Sequence, residues 1–120
     1  MATFTKKILS GSTDGKAVKV AATATAGTTI HTGSATATTH DEVWLYAVNS
    51  SASSVKLTLE WGEATAPDGN IELSIAAESG LVLVVPGLLI KGNATPLVVK
   101  AFAGTANVIL LHGYVNQITV

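Results

Sequence analysis

The chain has no cysteine and no arginine, and it is short of charge and of aromatic rings. Each shortage removes a class of function. Without cysteine there is no disulfide framework and no thiolate metal site. All seven cations are lysines and the net charge is −1. The chain therefore lacks both the guanidinium fork and the basic field that nucleic-acid recognition uses, and no nucleic-acid partner is expected. Charged residues are 12% of the 120 residues, about half the usual share of about 25%. A small domain ordinarily relies on such charges to stay soluble and monomeric. Two resolutions remain: neighbouring chains cover much of the surface, or Thr, Ser and Asn replace charge as the polar coat. The longest uncharged apolar stretch, LVLVVPGLLI from Leu81, is too short to span a bilayer and is interrupted by Pro86-Gly87. The opening MATFTKKILSGSTDG has no apolar centre of the kind a secretory signal needs. The expectation is a product made and assembled in the cytoplasm, with no membrane partner.

What is present is a strand pattern. Val55, Leu57, Leu59 and Trp61 alternate with Ser54, Lys56, Thr58 and Glu60, so one face is predicted to enter a core and the other to meet water. Ile71, Leu73 and Ile75 repeat the alternation against Glu72 and Ser74. Turn-forming residues separate the runs: Thr13-Asp14-Gly15, Asn49 to Ser53, Pro67-Asp68-Gly69-Asn70, Pro86-Gly87, Gly92-Asn93 and Gly104-Thr105. The spacing predicts strands near Thr3–Leu9, Lys16–Ala21, Val43–Val48, Ser54–Trp61, Ile71–Ile75, Leu81–Val85, Leu97–Ala103 and Asn107–Ile118. Asn49–Ser53 is the strongest hairpin candidate. Pro86-Gly87 is expected to stop its strand, with Leu88–Lys91 as a short return. A helix has room only around Ala76–Ser79. The segment 21–39, nearly all Ala, Thr and Gly, reads as a surface loop with one short strand near Thr28–Thr32, or as an arm ordered against a neighbour. The whole chain, 1–120, reads as one domain: an all-β antiparallel sandwich of jelly-roll type.

Three runs break the alternation. Val43 to Val48, Leu81 to Val85 and Val108 to Leu111 are apolar on both faces. A strand of that kind needs cover on both sides, and each exposed Leu or Val forgoes about 1.5–3 kcal/mol. Three such strands with scarce charge point to a homo-oligomer. The candidate interface residues are Trp44, Tyr46, Val82, Val84, Ile109, Leu111 and Tyr114.

Chemistry finds little support. His31, His40 and His112 are the only imidazoles. His40-Asp41-Glu42 resembles a metal corner, but neighbouring strand residues point to opposite faces and converge poorly. His31 and His40 meet only if the fold brings them together. His112 reads as a half-buried histidine with a backbone partner. Glu60, Glu63, Asp68, Glu72 and Glu78 sit in strand or turn contexts that read as solvated, not as a catalytic carboxylate pair. No nucleophile elbow or phosphate loop is present. The expectation is therefore no catalytic residue, no metal, no cofactor and no small-molecule substrate. Sugar binding would fall to Trp44 and Tyr46 if their shared face is open, with Trp61 in the core.

The order of DEVWLYAVNSSASSVKLTLEWG (Asp41–Gly62), LVLVVPGLLIKGN (Leu81–Asn93) and LLHGYVNQI (Leu110–Ile118) resembles that of small β-rich structural proteins of tailed bacteriophages. The resemblance covers about the last two-thirds of the chain and implies a virion protein, foremost a capsid decoration or cement protein. It implies a homo-oligomer, a trimer by preference, bound to the major capsid protein at the capsid surface. Tail, connector and fibre components share these traits, and a carbohydrate-binding adhesin is the further alternative.

Overall fold

The computed structural model describes residues 2–120, and every regular element among them is a strand. The nine are β1 (Thr3–Ile8), β2 (Val18–Lys19), β3 (Thr28–Thr32), β4 (Thr39–Asn49), β5 (Val55–Trp61), β6 (Asn70–Ile75), β7 (Val82–Lys91), β8 (Val98–Ala103) and β9 (Ile109–Thr119). The large sheet runs β1-β9-β4-β7, with β2 also on β9; the small sheet runs β3-β8-β5-β6. All pairings are antiparallel.

The topology follows one rule. The first strands, β1 and β2, pair with the last, β9. β3 pairs with β8, β4 with β7 and β5 with β6. These four nested pairings make a long double ribbon, which rolls up so that alternate pairs fall in opposite sheets. This is the jelly roll, the connectivity expected from the sequence.

The core lies between the sheets. Val43, Leu45 and Ala47 of β4 and Ile109, Leu111 and Val115 of β9 close it from one side. Leu57 and Leu59 of β5 and Val99, Ala101 and Ala103 of β8 close it from the other. Trp61 packs against this core from its edge, as its place in the alternation predicts. The β6 pattern holds less well: Ile75 is buried, Ile71 is half-buried and Leu73 is exposed. β6 is the edge of the small sheet, so its core face has fewer neighbours to cover it.

Two local expectations are corrected. Asn49–Ser53 is not a hairpin turn, because β4 and β5 lie in different sheets. Asn49 is buried and its side-chain amide donates to the carbonyls of Ser53 and Ile75, which carries the chain across the sandwich. The paired hairpin is β5–β6, closed through Gly62 to Gly69. Pro86-Gly87 does not end its strand either. β7 continues through it to Lys91, paired with β4 throughout, and absorbs the proline with two register shifts. An edge strand tolerates a missing N–H, and a bulge takes up the extra residue. Gly87 has φ 82°, and a Cβ there would come within 2.9 Å of the Trp44 indole. Ala76–Ser79 is a turn, with Glu78 at φ 49°.

Candidate functional site

In an antiparallel sheet, residues paired across strands share a face. The outer face of the large sheet can therefore be read row by row from its register. One row is Phe4, Ile118, His40 and Lys91, from β1 across to β7. The next is Lys6, Asn116, Glu42 and Leu89; then Ile8, Tyr114, Trp44 and Pro86. His112, Tyr46 and Leu83 follow, and Leu110 and Val48 close the face beside Lys19 of β2. Most of these side chains are apolar or aromatic. Phe4 is 70% exposed, Leu89 57% and Ile8 50%. An apolar surface running across four strands is unusual on a small protein, which makes this face the candidate site.

Its centre is organised. Trp44 and Tyr114 face each other across β4 and β9 with centroids 6.1 Å apart and planes 9° from parallel, an offset stack. Lys6 Nζ lies 4.9 Å from the Tyr114 centroid and reaches it from β1, on the far side of β9 from Trp44. Tyr114 thus has the indole on its β4 side and the ammonium on its β1 side. Trp44 Nε1 donates to Glu42 (3.3 Å), and Asn116 donates to the other Glu42 oxygen (3.2 Å). These contacts tie both rings to their row neighbours.

The structure divides the candidate interface residues. Trp44, Tyr46 and Tyr114 share this outer face. Ile109 and Leu111 do not: both are completely buried and point between the sheets. They are corrected to core positions, because the Val108–Leu111 run has one side in the sandwich. Val82 pairs with Ala47, whose side chain faces inward, and Val84 packs against the core. The register shifts in β7 turn both toward the interior, so β7 presents Leu83, Pro86 and Leu89 instead.

The outer face of the small sheet differs. Its β5 residues are Lys56, Thr58 and Glu60, beside Glu72 and Ser74 of β6 and Lys100 and Phe102 of β8. Lys56 and Glu72 form an exposed ion pair. Glu60 is corrected from solvated to buried, with 1% exposure. Its carboxylate accepts from Gly27 N (2.7 Å) and Thr25 Oγ1 (2.8 Å). The Ala/Thr-rich segment therefore folds back over its own small sheet, and the Ala103 amide donates to the Ala22 carbonyl at the same place. Two clefts open here. One of about 280 Å³ is lined by Glu60, Glu63, Leu97 and Lys100; the other, about 190 Å³, by Thr23, Lys56, Thr58 and Phe102. Both fall below the ~300 Å³ at which small-molecule pockets begin.

The imidazoles separate. His31 does not meet His40; it reaches Asp41 inside the sandwich. Its Nε2 lies 2.7 Å from Asp41 Oδ2, with both side chains buried. The Ser10 amide donates to Nδ1 (3.0 Å), and Gln117 donates to Asp41 Oδ1 (3.0 Å). Because Nδ1 accepts, Nε2 carries the proton and donates to the carboxylate. Ser10, His31 and Asp41 thus have the residue types of a nucleophilic triad without its geometry. The basic nitrogen takes the Ser10 amide, and the Ser10 hydroxyl accepts from Thr32 N (2.6 Å). The network ties β3 to β4 and β9. A register shift between Thr29 and His31 sends both Ile30 and His31 inward, which sequence periodicity did not signal. His112 is half-buried opposite Tyr46. His40 is half-buried on the outer face with Nδ1 enclosed and unbonded among the described residues. No group of three or more His, Cys, Asp or Glu is placed to hold a metal ion among the described residues.

Comparison with protein-family models, with curated proteins and with solved structures finds no match for this chain.

Proposed function

We propose that this chain is a non-enzymatic structural subunit of a tailed-phage virion, a capsid decoration protein that works by covering and bridging surfaces. One observation carries the reading: the outer face of the large sheet is mostly apolar across four strands and leaves Phe4, Ile8, Leu83 and Leu89 exposed. The buried polar groups serve the fold, since His31, Asp41 and Glu60 are all held by intrachain hydrogen bonds. Jelly rolls recur in viral capsid domains. The phage-like order of Asp41–Gly62, Leu81–Asn93 and Leu110–Ile118 supplies the remaining support. On this reading the subunit assembles in the host cytoplasm, oligomerises, and docks on the major capsid protein at the virion surface, where added contact area stiffens the lattice.

Purified chain titrated onto capsids that lack it is expected to bind saturably, at a fixed ratio to lattice sites, and to raise the temperature at which the capsid opens. Binding that never saturates, or capsid stability that is unchanged at saturation, overturns the decoration reading.

A further inference from the structure

We infer that the outer face of the large sheet closes on the same face of a second copy, about a two-fold axis running along β9. The inference rests on the proposed assembly through this face and names its occupant. The central rows carry two charges, Lys6 on β1 and Glu42 on β4, in the same row and on opposite sides of β9. A two-fold axis parallel to β9 keeps each row at its own height and exchanges left for right. Lys6 of one copy then faces Glu42 of the other, twice. Tyr114 lies on the axis against its own equivalent, and Ile8 covers the opposing Trp44. Placing the axis between β9 and β4 would set Lys6 against Leu89 and leave an ammonium without a counter-charge. Lys91, on β7, falls outside the overlap and stays in water; Lys19 of β2, in the end row with Leu110 and Val48, lies where the crossing sheets diverge and keeps its ammonium in water.

The area suffices. Three strands at about 4.8 Å spacing and about ten residues of about 3.4 Å give roughly 500 Å² of sheet per copy. The two copies together bury about 1,000 Å² on this count, the threshold of a specific interface. Facing sheets cross at about 30°, so the fit is closest at the Tyr114 row and its neighbour, where the charges stand. The inferred closed two-fold at this face thus takes the place of the trimer that the phage resemblance favours.

Sedimentation equilibrium of the full chain is expected to give twice the chain mass across the micromolar range. Lys6→Glu alone or Glu42→Lys alone places like charges together and weakens association about tenfold or more. The double variant restores it to within about threefold. Circular dichroism checks that each variant keeps its strands. Should Glu42→Lys misfold through its Trp44 and Asn116 bonds, Ile8→Lys, at a half-exposed position, is the second probe and yields a folded monomer. A monomeric parent chain, a double variant no better than its singles, or an Ile8→Lys chain that still dimerises overturns the inference. Monomers that bind capsids saturably overturn it while the decoration reading stands; dimers that ignore capsids support it while that reading fails.

Discussion

The two sheets share one core but face outward in opposite ways. The small sheet turns Lys56, Thr58, Glu60 and Lys100 outward, and the chain's own segment 21–27 lies over part of that surface. The large sheet turns Trp44, Tyr46, Tyr114, Phe4 and Leu89 outward; the three rings are half-buried among their row neighbours, while Phe4 and Leu89 stand exposed. The difference shows what a weakly apolar arm can do. Ala, Thr and Gly bury little, so such an arm needs hydrogen bonds to stay down, and Glu60 supplies an acceptor for two of them. The acceptor on the aromatic face, Glu42, is already engaged by Trp44 and Asn116, so covering that face falls mainly to apolar contact.

Substitutions that separate inner, covered and open positions test this contrast. The largest effect belongs to the inner face: Leu111→Ala should lower unfolding free energy by about 2–5 kcal/mol in urea titrations, as for a full core cavity. An effect near zero would return Leu111 to the surface. The covered face comes next. Glu60→Ala strips the Gly27 amide and the Thr25 hydroxyl of their acceptor and should cost about 1–3 kcal/mol. It should also release segment 21–27 to limited proteolysis and to fast amide exchange at Gly27. If that amide stays protected, the latch is elsewhere. The open face should give the smallest change. Phe4→Ser should alter the stability of the unassembled chain by less than about 0.5 kcal/mol while reducing self-association. A loss of stability on the scale of Leu111→Ala would mean that the face is already packed within one chain.

The sequence displayed some of this plainly. The alternation of Val55 to Trp61 identified the core face of β5, and Thr28–Thr32 emerged as the one strand within the Ala/Thr-rich segment. Both signals are local, carried by a side-chain period of two. What failed was non-local. The turn at Asn49–Ser53 has hairpin chemistry, yet turn chemistry does not say whether the next strand pairs with the last or crosses to the other sheet. Glu60 alternates as a solvated residue should, and is buried because a segment more than thirty positions away covers it. His31 reaches Asp41 only through a register shift in β3. Ile109 and Leu111 were grouped with Tyr114 because a doubly apolar strand does not show which side is inside. Register against β4 supplies that: Leu111 opposes Ala47, and Tyr114 opposes Trp44.

The nesting of first strands with last also sets a timetable. β4 pairs with β9 from Thr39 opposite Thr119 to Asn49 opposite Ile109, so a strand made early waits for one made late. Until β9 emerges from the ribosome, β4 has no partner on that side, and β1 and β2 have no sheet to join. Contacts so distant along the chain make folding slow, since loop closure must precede any gain from pairing. During that interval Trp44, Tyr46 and the inward leucines are all open together, and half-made chains are at their most adhesive. A chain whose finished sheet already shows apolar side chains outward therefore passes through a stage with more of them open, and its yield depends on how quickly β9 arrives.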